Sequence, residues 1–172
     1  VYTLGVRSVL TCLDLKTGTL LWQRDLDTEF EIAPYFFGHG SCPIVYDGKV
    51  IINLGGKDQL CVAAFDQHTG ALVWGTRHEW LASYASPIVK ELQGKPRLLV
   101  FAGGESRHPF GGLLCIDPQT GELHDAFSWR ADKFESVNGS TPVVVGENRV
   151  YISDCYEIGG VLLELTPGLK WK

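Results

Sequence analysis

The sequence predicts an all-β fold, a β-propeller of four-stranded antiparallel blades, because two markers recur along it in register. The first marker is a turn of the pattern small–x–Asp–x–x–Thr–Gly, followed four residues after the glycine by tryptophan, and residues 64–74 carry it in full. The second is a serine followed, directly or after one residue, by proline and then by aliphatic residues. A period near 50 with strand-like content is typical of propeller blades. We expect about three and a half blades.

The copies of the first marker share one spacing, in which glycine follows aspartate by four residues and tryptophan by eight. They are Asp14, Gly18 and Trp22; Asp66, Gly70 and Trp74; and Asp117 and Gly121, with Asp125 where tryptophan is expected. An approximate fourth copy spans 163–171. Aspartate at the start of a tight turn accepts backbone hydrogen bonds, and glycine supplies the positive φ that closes it. We therefore interpret these residues as structural and assign no catalytic residue.

The second marker recurs in register with the first and indicates where the first strand of each blade begins. It occurs at 41–45, 86–89 and 140–144, where each copy starts an innermost strand. We predict one partial propeller domain over 1–172, with blades at about 1–24, 42–76, 85–127 and 140–172. Because the chain enters and leaves inside a blade, we expect it to be part of a longer propeller, with a second copy closing the ring as the alternative.

Strand order also predicts which loops lie together. In an up-and-down blade, the connection into the first strand and the loop between the second and third strands lie at one end. The loops predicted to form this rim are 25–41, 55–59, 103–111, 126–139 and 154–159. Loops grouped on a rigid scaffold are where binding residues concentrate. The candidate binding residues on this rim are Phe36, Phe37, His39, Arg107 and His108.

Composition excludes several classes of function. The formal net charge is −5 and there is no run of Lys or Arg, which argues against a nucleic-acid partner. No stretch reaches the roughly 18 to 20 apolar residues that a membrane span requires. The five cysteines show no C-x-x-C spacing and no adjacent pair, so no metal site is predicted. Cys12 and Cys115 occupy equivalent repeat positions, and we interpret them as small buried strand residues.

The repeat resembles that of the pyrroloquinoline-quinone-like (PQQ-like) β-propeller proteins, over nearly the whole chain. The resemblance implies that Trp22 and Trp74 are docking residues that stack on the neighbouring blade. It also implies a closed ring of about eight blades. The family includes quinoprotein alcohol and sugar dehydrogenases as well as non-catalytic propellers, such as the lipoprotein of the bacterial outer-membrane barrel-assembly machinery.

Two functions follow from this resemblance. We favour a non-catalytic, exported or periplasmic scaffold that binds a protein or peptide and needs no cofactor, because every in-register aspartate is explained by a turn. The alternative is a fragment of a PQQ-dependent dehydrogenase, which would use the quinone with Ca²⁺. An adjacent Cys-Cys pair, expected against the quinone, is missing from the sequence. Because one fold hosts many functions, the dehydrogenase stays open.

Overall fold

The fold is a succession of antiparallel sheets, and the predicted all-β propeller class is confirmed. A computed structural model describes residues 1–105, 110–133 and 136–172. The first sheet holds β1 (Tyr2–Leu4), β2 (Val9–Leu13) and β3 (Leu20–Asp25). The second holds β4 (Ile44–Tyr46), β5 (Lys49–Asn53), β6 (Leu60–Asp66) and β7 (Leu72–Arg77).

The other two sheets follow the same up-and-down order. The third holds β8 (Ile88–Leu92), β9 (Lys95–Ala102), β10 (Gly112–Ile116) and β11 (Leu123–Ser128). The fourth holds β12 (Val143–Val145), β13 (Arg149–Asp154) and β14 (Gly159–Glu164). In each sheet, strands adjacent in sequence are also hydrogen-bonded neighbours. The first and fourth sheets therefore have three strands and the middle two have four, close to the expected three and a half blades.

One short helix departs from the sequence-based expectation of a loop over 25–41. The helix α1 (Leu26–Phe30) follows β3 directly. The Asp25 side chain caps it by accepting a hydrogen bond from the Thr28 amide at 3.3 Å, and Glu31 ends it in the left-handed conformation at φ 47°. Within the described ranges, no helix has both the length and the apolar character needed to cross a membrane.

The core consists of three apolar layers, each between consecutive sheets. Side chains of a strand alternate between its two faces, so a strand between two sheets must be apolar on both. In β5, Val50 and Ile52 pack toward the first sheet, whereas Ile51 packs toward the third. In β9, Leu98 lies in the layer shared with the second sheet and Leu99 in the layer shared with the fourth. The central strands are therefore buried on both faces.

The predicted Asp-x-x-Thr-Gly turns, which we call the Asp–Gly turns, occupy the end of the sheets opposite to the loop rim. The Asp14 carboxylate accepts hydrogen bonds from the amides of Lys16 at 3.0 Å and Thr17 at 2.8 Å. Asp66 and Asp117 accept the corresponding pairs in the second and third sheets. The hydrogen bonds from Thr17 lower the pKa of Asp14. These carboxylates are thus held ionised by the turns that they close.

The tryptophans of the repeat lie on the turn glycines of the next sheet. A Cβ atom on Gly70 would lie 2.8 Å from Cε3 of Trp22, and one on Gly121 would lie 2.6 Å from Cε3 of Trp74. Trp22 Nε1 also donates to the Gln67 carbonyl at 3.1 Å. The ring and the glycine are therefore in direct contact across both of these sheet boundaries.

A second contact accompanies each tryptophan. The residue two positions after it reaches the same glycine of the next sheet through a hydrogen bond to the carbonyl. Arg24 Nη1 donates to the Gly70 carbonyl and Thr76 Oγ1 donates to the Gly121 carbonyl, both at 2.7 Å. Different donors thus fill the same position in successive repeats.

The third sheet, where Asp125 replaces tryptophan, uses a polar contact instead. One Asp125 oxygen accepts from the Trp171 amide at 2.7 Å and the other from Lys170 Nζ at 3.0 Å. In the approximate fourth copy, the left-handed residue is Leu169, at φ 58°, and a Cβ on Gly168 would meet nothing within 4 Å. The fourth turn therefore offers no close glycine platform for a stacked ring.

These contacts predict that alanine will be tolerated at one turn glycine and not at its equivalents. Gly18 and Gly70 have nearly equal φ values of 69° and 72°, but a Cβ on Gly18 meets nothing within 4 Å. Gly18→Ala should cost only about 1–2 kcal/mol of backbone strain. Gly70→Ala and Gly121→Ala should lose a further ~1–3 kcal/mol because the methyl group displaces the tryptophan. Urea unfolding followed by tryptophan fluorescence measures the difference, and equal losses in all three variants would contradict it.

Candidate binding rim

The loop rim lies at the end of the sheets away from the Asp–Gly turns, as the strand order predicted. The most exposed apolar side chains there are Phe36, 83% exposed, and Phe37, 74% exposed. Their ring centroids are 4.8 Å apart in an edge-to-face arrangement, and the Phe37 ring lies 6.2 Å from that of Tyr84. We call Phe36, Phe37 and Tyr84 the aromatic platform. Two of its three residues were predicted from the sequence.

Glu105 holds the platform in place. Its carboxylate oxygens accept hydrogen bonds from the Phe36 amide at 3.1 and 3.2 Å and from the Tyr84 hydroxyl at 3.1 Å. The Phe37 amide in turn donates to the Tyr84 hydroxyl at 3.3 Å. Burial raises the pKa of Tyr84, and the hydrogen bond to Glu105 adds to this effect. The hydroxyl therefore stays protonated and able to donate at neutral pH.

The structure corrects the expectation for His39, which is buried rather than presented on the rim. The side chain is 4% exposed. Its Nε2 lies 2.8 Å from the Asn53 carbonyl oxygen and its Nδ1 lies 3.2 Å from Ser8 Oγ. Because the carbonyl can only accept, the ring presents N–H at Nε2 and takes the Ser8 hydroxyl at Nδ1. His39 thus anchors the base of the Phe36–Phe37 loop between the first two sheets.

Arg107 and His108, also predicted on this rim, lie outside the described residues. Glu105, two residues before Arg107, is described and forms the platform contacts above. The rim candidates that the structure brings together are therefore Phe36 and Phe37, with His39 beneath them.

Arg130 is a rim residue that sequence reasoning missed. Its guanidinium donates to the carbonyls of Gly103, Gly104 and Ser136, and its Nε donates to Ser136 Oγ at 2.9 Å. Burial lowers the pKa of Arg130, and nearby acidic groups including Asp154 oppose that effect. The arginine ties the loop after β9 to the loop after β11. No sequence signal distinguishes it, because three of its four acceptors are backbone carbonyls.

A cleft of about 550 Å³ adjoins the platform. Phe36 and Phe37 belong to its lining, together with further apolar residues such as Ile32. Arg7 and Asp27 are the charged residues of the lining. Clefts of a few hundred Å³ lined mainly by apolar groups with few polar ones are typical of binding sites. The cleft and the platform together form a continuous, mostly apolar surface.

The cysteines and acidic residues form no metal-ligand group within the described ranges. All five cysteines are free, and burial raises the pKa of Cys61 and Cys115 to about 12. Cys12 and Cys115 are buried strand residues, as expected. In the part of the chain that the structure describes, no group of three or more His, Cys, Asp or Glu side chains could hold a metal ion.

The repeats and the sheet order define the chain as part of a β-propeller of the PQQ-like repeat class. A family model described as outer membrane protein assembly factor BamB matches residues 1–171, and the chain belongs to this family. A search of curated proteins finds no significant match.

Solved structures with the same fold come from both functional classes. The quinohemoprotein alcohol dehydrogenase of Comamonas testosteroni is 18% identical with a TM-score of 0.63, over 99% of this chain and 32% of that one. BamB of Moraxella catarrhalis is 16% identical with a TM-score of 0.53, over 95% of this chain and 49% of that one. The chain thus spans from 32% to 49% of the length of these proteins. At such identities the likeness shows the fold.

The buried position of His39 predicts a specific pH dependence of stability. Burial lowers the pKa of His39 below its ordinary value of 6.5. As the pH falls through about 6.5, the unfolded chain binds a proton that the folded chain resists, so stability falls. His39→Gln, which keeps a donor toward Asn53 and cannot titrate, should reduce this loss. The measurement is the urea midpoint at pH 7.5 and 5.5.

The exposed turn residue His68 provides the matched control for this experiment. His68→Gln should leave the difference between the two midpoints as it is in the original chain. An equal difference for the His39 variant and the original chain would show that His39 contributes nothing to it.

Proposed function

We propose that the chain is part of a non-catalytic propeller that binds a protein or peptide through the aromatic platform. The observation that carries the proposal is the exposed pair Phe36 and Phe37. Their backbone amides donate hydrogen bonds to Glu105 and Tyr84, which hold the loop in place. Two large apolar side chains side by side on a surface are costly to leave in water, and aromatic residues are enriched at interfaces. The hydrogen bonds to the Phe36 and Phe37 amides order the loop before any partner arrives, which reduces the cost of binding.

The family match supports a protein partner. The matching model is described as an assembly factor of outer membrane proteins, which is a function exercised on other proteins. By the same relationship, we propose that the parent is exported to the periplasm or cell surface. Fractionation of cells that express the parent chain would test this location.

We further propose that the remainder of the parent propeller, of about eight blades, covers the free faces of the first and fourth sheets. Large apolar side chains on the outer sheets are exposed, including Leu21 in β3 and Leu162 in β14. In a closed ring, each sheet packs between two others, as the second and third already do here. A second copy of the chain could cover the same faces and is the alternative occupant.

In this ring, Trp22 and Trp74 would act as the ties between blades that the repeat resemblance implies. Their contacts with Gly70 and Gly121 support this role, since each ring bridges one sheet to the next. The turn residues Asp14, Gly18, Asp66, Asp117 and Gly121 would then serve to shape the platforms on which such rings lie.

The expected loss of partner capture tests the binding proposal. Changing both Phe36 and Phe37 to Ala in the full parent should reduce recovery of a co-purifying protein by about tenfold or more, because a central aromatic pair contributes ~2 kcal/mol or more. Leu15→Ala is the matched control, since Leu15 is 80% exposed but lies in a turn at the opposite end of the sheets. Equal capture by the double variant and the control would contradict the proposal.

The dehydrogenase alternative predicts a different result. The full parent, mixed with pyrroloquinoline quinone and Ca²⁺, would then bind the quinone stoichiometrically and reduce a dye with an alcohol or sugar as donor. We expect neither bound-cofactor absorbance nor turnover. Stoichiometric quinone binding together with dye reduction would replace the scaffold proposal by the dehydrogenase.

A further inference from the structure

The charges of the chain are spread unevenly between the two ends of its sheets. Seven connections between strands emerge at the rim end, namely 5–8, 26–43, 54–59, 78–87, 103–111, 129–142 and 155–158. They hold nine acidic and five basic residues, so four of the five excess negative charges of the chain lie at this end. Like charges gathered on one face create a potential that attracts the opposite charge. The rim end is therefore a negatively charged surface.

The connection that carries Phe36 and Phe37 is the most acidic of the seven. It leads from β3 to β4 and contains Asp27, Glu29 and Glu31 but no Lys or Arg. Glu29 and Glu31 already form ion pairs with basic residues of the chain. Asp27 lies exposed in the first turn of α1 and takes part in no ion pair among the residues that the structure describes. Its carboxylate is thus available to a cation of a partner.

Asp27 lies next to the apolar surface that the partner would cover. It lines the cleft of about 550 Å³ to which Phe36 and Phe37 also belong. A second carboxylate, that of Glu105, lies 3.1 Å from the Phe36 amide. Arg7 is the basic residue of the cleft lining, so the cleft itself holds one charge of each sign. The preferred charge of a partner is therefore set by the surrounding acidic connections.

The exposed aromatic rings favour the same sign of charge. The face of an aromatic ring is negative and attracts the ammonium of lysine or the guanidinium of arginine. Phe36 and Phe37 are 83% and 74% exposed, so partner side chains can reach their rings. A carboxylate of a partner would be repelled by the ring faces and by the rim. Apolar contact and attraction for cations thus occur at one place.

We propose that the aromatic platform binds a segment of a partner protein in which large apolar side chains alternate with Lys or Arg. The apolar side chains would lie on Phe36 and Phe37, while the basic ones would face Asp27 and the other rim carboxylates. A second copy of this chain fits the site poorly, because it would bring an equally acidic rim and like charges oppose each other. This inference rests on the proposed protein-binding function and adds to it the charge of the partner.

The test uses three pentapeptides capped at both ends, with the sequences KFKFK, EFEFE and KSKSK. Each is titrated into the full chain at about 0.01 M salt and followed by the ¹H–¹⁵N NMR signals of residues 35–38 and 84. KFKFK should bind about tenfold more tightly than EFEFE, because the rim repels the acidic peptide. It should also bind about tenfold more tightly than KSKSK, which lacks aromatic side chains.

Salt separates the charge contribution from the aromatic one. Between about 0.01 M and about 1 M NaCl, the distance over which charges act falls from about 30 Å to about 3 Å. The preference for KFKFK over EFEFE should therefore shrink severalfold over this range. A preference that stays constant would show that the rim charges do not select the partner and would overturn the proposal.

A variant then assigns part of the preference to one carboxylate. Asp27→Asn should weaken KFKFK binding by about two- to fivefold, as expected for one exposed charge pair. Glu147→Gln is the matched control, since Glu147 is an exposed carboxylate in the turn between β12 and β13 at the opposite end of the sheets. It should leave KFKFK binding unchanged. Equal binding by both variants and the original chain would contradict the role of Asp27.

The remaining outcomes also decide. Equal affinity for KFKFK and EFEFE, or for KFKFK and KSKSK, would overturn the proposal, and so would platform signals that shift on dilution of the chain alone, which would indicate a second copy. In the full parent, partner capture that is lost with the Phe36 and Phe37 changes, without any preference for KFKFK, would refute the basic partner alone. A preference for KFKFK at the platform, with capture unaffected by those changes, would refute the proposed function alone.

Discussion

The structure depends on one constraint, which is that its central strands are apolar on both faces. Strands β5 and β9 send alternate side chains into two different layers, so a sheet of this kind is stable only between two neighbours. Sheets must then follow one another, with their loops gathered at one end and their turns at the other. The rim that carries Phe36, Phe37 and Asp154 exists because the layers fix where the loops emerge.

Local signals explain why the fold was predictable. Asp66, Thr69 and Gly70 specify their turn within five residues, and the turn recurs with the tryptophan that follows. The residues that specify this turn can be recognised from the sequence alone, because its hydrogen bonds join residues two or three positions apart. The number of strands and their order followed from the spacing of these turns.

The rim was only partly predictable, because its contacts join distant residues. Glu105 accepts from the Phe36 amide across 69 positions, and His39 meets Ser8 across 31. Sequence reasoning placed Phe36 and Phe37 on an exposed loop correctly but also placed His39 there. The difference arises because burial of a histidine depends on which carbonyl and hydroxyl tertiary packing brings to it, here those of Asn53 and Ser8. Arg130 was not predicted for the same reason, because tertiary packing brings the carbonyls of Gly103 and Gly104 to it.

The replacement of tryptophan by Asp125 changes the kind of force at one boundary between sheets. The Trp22 and Trp74 contacts are apolar stacking on glycine, which salt does not weaken. The contact of Asp125 with Lys170 joins opposite charges, with the lysine largely in water, so dissolved ions screen it. Ionic strength therefore acts unevenly on the described sheets. Rising salt should weaken this one ion pair between the third and fourth sheets, while the apolar layer that joins the same sheets and the two tryptophan contacts keep their strength.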